Sequence, residues 1–215
     1  MPTTITRNIP AFDILEATTD RDLSYKNYQS LKPVKTGEFT AGLNLDFAYA
    51  KWQSFFNGLP DDASIATKQL YGAPLVISFY SKHWHARGAA HLVQLSALSE
   101  QVRANGGNLI VISAEAASEE LNSLAKDHNL SLNFYFDQKH NVATQLGVFS
   151  ENDPIWNWFA GVDQNVPMLA TYVIGTEKNV VYAHNERDHW DTLNDDAVIN
   201  AVSQSAFINN LLLSA

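Results

Sequence analysis

From Pro74 onward the chain alternates short, wholly apolar runs with longer stretches whose apolar residues return every three or four positions. The first run, "PLVISFY" (Pro74 to Tyr80), is rich in β-formers and has the unbroken apolarity of a strand buried on both faces. A helical pattern follows, with Leu92, Leu95, Leu98 and Val102 on one side and a stop at Gly106-Gly107. "NLIVIS" (Asn108 to Ser113) predicts the next strand, and "ASEELNSLAKDHNL" a second helix that turns Leu121, Leu124 and Ala125 inward, with Ser118 as N-cap before an acidic first turn. "SLNFYFD" predicts a third strand and "HNVATQLGV" a brief helix closed by Gly147. "ATYVIG" and "VVYAH", joined by "TEKN", predict an antiparallel hairpin, and the apolar positions Val198, Val202, Phe207 and Leu211 to Leu213 predict a closing helix from Asp195.

Upstream the pattern is weaker. "LDFAYAKWQSFF" (Leu45 to Phe56) spaces Leu45, Ala48, Trp52, Phe55 and Phe56 as an amphipathic helix would, ended by Asn57-Gly58. Residues 1–40 mix polar, acidic and Pro/Gly positions and are expected to form an N-terminal arm packing on the body formed by residues 41–215. Parallel βαβ units followed by a hairpin and a helix define an α/β fold, a mixed sheet with helices on both faces.

The composition narrows the function. A formal net charge of -9 argues against nucleic acid or an anionic membrane as partner, since affinity for phosphate backbones comes from clustered Lys and Arg. No segment approaches the roughly 18 apolar residues of a membrane span, and the opening residues carry no signal-peptide pattern, so a cytoplasmic location is expected. The cysteine count is 0, which removes disulfides, thiolate metal sites and every cysteine nucleophile. There is no phosphate-binding P-loop, no Gly-x-Ser-x-Gly elbow and no His-Glu-x-x-His. Asp61-Asp62 and Asp195-Asp196 are expected to complement helix starts, and His91, His128 and His140 to be surface or capping residues.

Three ordered segments carry a resemblance. "VISFYSKHWHARGAAHLVQLSAL", "LIVISAEAASEELNSLAKDHNLSLNFYFDQKHNVATQLGV" and "PMLATYVIGTEKNVVYAH" resemble, in this order, the motif strand and helix, the second βα unit and the closing hairpin of the alkyl hydroperoxide reductase/thiol-specific antioxidant (peroxiredoxin-like) family. The likeness runs from about Thr36 to Asn200 and implies a thioredoxin-like fold and, in the family, antioxidant oxidoreductase chemistry. The family's motif there is Trp-Cys-Pro-x-Cys. Trp84 matches the Trp, but His85 stands at the peroxide-attacking cysteine, Ala86 at the proline, Arg87 at the variable position and Gly88 at the second cysteine. Leu169 replaces the proline whose cis bond faces the thiols, so Met168–Leu169 is expected to be trans. Thr171 keeps the family residue.

Imidazole has no reversible sulfenic or disulfide state, so thiol-peroxidase and disulfide-reductase activities are expected to be absent. A non-thiol role at the former redox site is expected instead, as a ligand-binding site or as a scaffold. Lys82, His85 and Arg87 beside a helix N-terminus are the candidate residues for a small anionic ligand. No cofactor is expected. The alternative is an enzyme working through a metal or histidine centre at His85, with a transition metal on His83 and His85 helped by His184, Glu186, Asp188 or His189. The aromatic segment Ile155 to Phe159 reads either as a plug on the chain's own core or as a patch that pairs two subunits into a homodimer.

Overall fold

Six consecutive buried residues, Leu75 to Tyr80, form the strand around which the sheet is assembled. The computed structural model describes residues 30–40, 43, 52–61, 70, 72–188 and 190–213. Its strands are β1 (Trp52–Phe56), β2 (Leu59–Asp61), β3 (Leu75–Tyr80), β4 (Asn108–Ser113), β5 (Asn133–Phe136), β6 (Ala170–Ile174) and β7 (Val180–Asn185). The helices among these residues are α1 (His85–Ala104), α2 (Glu119–Asp127), α3 (Asn141–Gln145) and α4 (Asp195–Leu213). One 7-stranded sheet has the order β2-β1-β5-β4-β3-β6-β7. β3, β4 and β5 run parallel, while β6 returns antiparallel beside β3 and β7 antiparallel beside β6.

Side-chain alternation along β3 divides the core. Leu75, Ile77 and Phe79 join α3 and the 155–169 segment on one face, while Val76 and Tyr80 join Leu92, Leu95, Leu98 and Val102 of α1, with α2 and α4, on the other. Helices therefore cover both faces of a thioredoxin-like mixed sheet, unequally. Ser118 caps α2 as expected, its side chain accepting the Leu121 N–H.

The expected helix over Leu45 to Phe56 is corrected by this arrangement. Residues 44–51 lie outside the described residues, but Trp52–Phe56 is a strand that pairs with β5 on one side and with β2 on the other. Asn57 and Gly58, both at positive φ, make the turn of that hairpin instead of ending a helix. Cross-strand ring contacts explain the outcome: Trp52 meets Tyr135 edge-on at 5.2 Å and Phe55 meets Phe134 at 5.8 Å. The three-residue step from Trp52 to Phe55 sends the two rings to opposite faces of the sheet, one to each core.

The expected arm lies outside the described residues as far as Gln29. From Leu31 the chain is tied down: the Leu31 side chain enters the core, Val34 N–H donates to Leu146 O (3.1 Å) and Gly37 N–H to Val180 O (2.8 Å). Gly147, at φ 70, lies where a Cβ would stand 2.0 Å from the Lys32 carbonyl oxygen, so only glycine admits this strap.

One polar inclusion interrupts the α1 side of the core. Ser78, Thr171 and His184 are register partners across β3, β6 and β7. Ser78 Oγ lies 2.8 Å from Thr171 Oγ1 and 2.8 Å from Nε2 of His91, which α1 sends inward. His91 is thus a core residue and not the surface or capping residue its sequence position suggested. Burial, reinforced by His184 and Arg87, lowers its pKa to about 4.

Two outcomes are expected. Gly147→Ala should destabilise the fold by at least about 3 kcal/mol in urea unfolding, because it combines backbone strain with displacement of the Lys32 strap. His91 takes up a proton near pH 6.5 when unfolded but only near pH 4 when folded, so the unfolded state holds more protons between these values. Stability should accordingly fall by about 3 kcal/mol as pH drops through that window, and His91→Gln should flatten that part of the urea-midpoint profile.

Candidate functional site

The sequence places its candidate chemistry between the end of β3 and the start of α1, and the local hydrogen bonding shows how that loop is built. Ser81 accepts the His83 N–H through Oγ (3.1 Å) and donates the same hydroxyl to Glu115 (2.5 Å), which opens a 3-10 turn over Lys82–Trp84. Trp84 is buried; its indole N–H donates to Pro167 O (2.9 Å) and its ring meets Phe159 edge-on at 5.0 Å. The tryptophan therefore fastens the 155–167 segment over the sheet end. His85 follows at φ 50, exposed, its backbone N–H donating to the Lys82 carbonyl that closes the turn.

Gly88, one turn into α1, is buried where a Cβ would stand 3.0 Å from both Ser81 O and Trp84 Cβ. At the facing position Leu169 is fully buried, and its carbonyl accepts the Glu186 N–H at 3.0 Å. Met168–Leu169 is trans, as expected once the proline is gone. Thr171 is fully buried and bonded to Ser78. Of the positions matched to the motif, then, His85, Ala86 and Arg87 reach solvent at the mouth of α1, while Trp84, Gly88, Leu169 and Thr171 lie in the core.

Lys82 and Arg87, two of the three residues expected to attract an anion, each have an acidic partner. Arg87 Nη2 lies 2.6 Å from Glu186 Oε2, and the guanidinium also donates to the carbonyls of Asp188 (2.6 Å) and Asp191 (3.2 Å) while standing 5.8 Å from the Phe159 ring centre. Burial raises the Glu186 pKa against the opposing pull of Arg87. Lys82 pairs with Glu120 at 3.0 Å on the surface, and His83 Nδ1 lies 2.9 Å from Asp163 Oδ1. That hydrogen bond holds the Asp163 carboxyl below its ordinary range.

Sequence reasoning proposed Glu186 as a metal helper and missed it as the counter-ion of Arg87, because the two are joined only by the β6–β7 return. Asp163 and Ser78 gave no signal. His184 is half-buried with Nε2 unbonded among the described residues, burial lowering its pKa, and His189 lies outside the described residues. Among the described residues no group of three or more His, Cys, Asp or Glu is placed to hold a metal ion. No helix there is long and apolar enough to cross a membrane. In the aromatic segment Ile155 and Phe159 are buried in the core, whereas Trp156 and Trp158 are 49% and 43% exposed.

The fold is similar to those of solved peroxiredoxins. Mycobacterium tuberculosis AhpC matches with a TM-score of 0.54 at 13% identity, over 80% of this chain and 92% of that one. The mitochondrial 2-Cys peroxiredoxin of Plasmodium falciparum matches with a TM-score of 0.55 at 10% identity, over 75% and 93%. A peroxiredoxin-like protein from Aquifex aeolicus matches with a TM-score of 0.51 at 13% identity, over 80% and 88%. No curated protein matches by sequence. The AhpC/TSA family model, however, matches residues 53–183, more than half of the 215-residue chain. On that match, and on the motif order along its sheet, the chain belongs to the AhpC/TSA family as a member with no cysteine.

Proposed function

We propose that this chain has no thiol-peroxidase or disulfide-reductase activity and acts as a non-thiol scaffold built on the peroxiredoxin-like fold, in the cytoplasm. The observation that carries the reading is the absence of sulfur nucleophiles: the chain holds 0 cysteines, and the exposed His85 stands where the motif resemblance expects the peroxidatic cysteine. The missing step is specific. A thiolate attacks one peroxide oxygen, the O–O bond breaks, hydroxide or alkoxide leaves and takes a proton, and sulfur is oxidised to a sulfenic acid that a second thiol reduces through a disulfide. Histidine has no counterpart to either redox state.

The scaffold half of the reading is supported by what happened to the surrounding charges. A ligand anion at the mouth of α1 would have to compete with Glu186 for Arg87 and with Glu120 for Lys82. A metal or histidine centre at His85, the enzyme alternative, would need ligands beyond His83, whose Nδ1 is taken by Asp163. A homodimer through Ile155 to Phe159 belongs to the same reading. Its contact would fall to Trp156, since Ile155 and Phe159 fill the chain's own core and the Trp158 indole N–H is donated to Asp153.

Two measurements test the reading. Peroxide consumption with a dithiol donor should be indistinguishable from that of heat-denatured protein, and turnover clearly above that control would overturn it. Arg87→Met should cost about 3 kcal/mol in urea unfolding by leaving the Glu186 carboxylate buried and unpaired, and Arg87→Met with Glu186→Met should recover most of the loss. Full stability in the single variant would return Arg87 to the role of a ligand-binding cation.

A further inference from the structure

A cleft of about 740 Å³, lined by none of residues 82–88 at the mouth of α1, lies between the strap of residues 31–38 and the chain leaving β7. Its lining includes the cations Lys32, Lys35 and Arg187, the indole of Trp158, the thioether of Met168 and a single carboxylate, Glu38. Three cations against one acid is a reversal of sign in a chain of net charge -9. Glu38 is also engaged elsewhere, its Oε2 accepting the Lys35 N–H at 3.0 Å. Unlike Lys82, His83 and Arg87, none of the three cations has an ion-pair partner among the described residues.

The fold fixes this arrangement through one buried group. Asp153, fully buried, uses Oδ2 to accept both the Leu31 N–H (2.8 Å) and the Trp158 indole N–H (3.0 Å). The same carboxylate thus anchors the strap that bears Lys32 and Lys35 and sets the indole opposite it. On the far wall Arg187 directly follows Glu186, which Arg87 holds, and its own N–H donates to Asp191 Oδ2 at 2.7 Å. Met168, buried beside Leu169, gives the cleft an apolar floor. The volume lies within the roughly 300–1,000 Å³ of small-molecule sites.

We propose that this cleft is a binding site for a small aromatic organic acid, its anionic head held by Lys32, Lys35 and Arg187 and its ring laid against Trp158 and Met168. The chemistry selects the class. A guanidinium fork and two ammonium groups favour a carboxylate or sulfonate, and an indole with a thioether favours a flat, polarizable body over a sugar or a bare inorganic anion. The site is separate from the mouth of α1, so its failure would leave the loss of thiol chemistry untouched.

The test uses the full chain and two probes, 1-naphthoate by calorimetry and 8-anilinonaphthalene-1-sulfonate by fluorescence. Saturable one-site binding is expected, weakened by added salt, with Arg187→Ala and Lys35→Ala each reducing affinity about tenfold. Trp158→Leu should weaken naphthoate, whereas Lys82→Ala, at the mouth of α1, should change nothing. Lys32, Lys35 and Arg187 are exposed, so their alanine variants should keep the wild-type unfolding midpoint. Absence of saturable binding to the wild type would overturn the proposal, as would affinity unmoved in both cation variants or lost instead in Lys82→Ala.

Discussion

The ion pair between Arg87 and Glu186 is the constraint on which the arrangement at the mouth of α1 depends. It joins the first turn of the crossover helix to the chain just beyond β7, two strands away, and is mostly withdrawn from water. Two charges in such a place persist only with their partner and additional hydrogen bonds, which the Asp188 and Asp191 carbonyls supply. The guanidinium is thereby committed to Glu186 and to those two carbonyls. The same pair holds Glu186 in place, and with it the neighbouring Arg187 at the edge of a different cleft.

Around this clamp, three of the residues singled out by the sequence motifs are packing positions. Trp84 bolts the 155–167 segment down through Pro167 and Phe159, Leu169 fills space on the opposite side, and Gly88 lets the first turn of α1 lie against Ser81. Within the sheet, Ser78, Thr171 and His91 satisfy one another away from solvent. An inclusion of this kind specifies register, since sliding β6 along β3 by one residue would leave the Ser78 hydroxyl facing apolar neighbours.

Legibility followed the range of the interactions. The βαβ units, the hairpin and the Ser118 cap rest on local periodicity and capping, and each was readable. The strand at Trp52–Phe56 was not, because its aromatic rings are organised by Tyr135 and Phe134, some eighty positions away. The identity of the motif residues at 84–88 was legible in order but not in partnership. His83 finds Asp163 and Arg87 finds Glu186 only because the sheet order brings those segments together.

By itself, then, the sequence determined the alternation of elements, the family, and the absence of any sulfur nucleophile, since composition and near-neighbour spacing suffice for these. Only the tertiary structure decided which charges are neutralised, that His91 is buried and resists protonation, and that Lys32, Lys35 and Arg187 meet across one cleft. The physical reason is that electrostatic pairing and desolvation depend on distance through space, and strand order and the strap over Gly147, not spacing along the chain, set those distances.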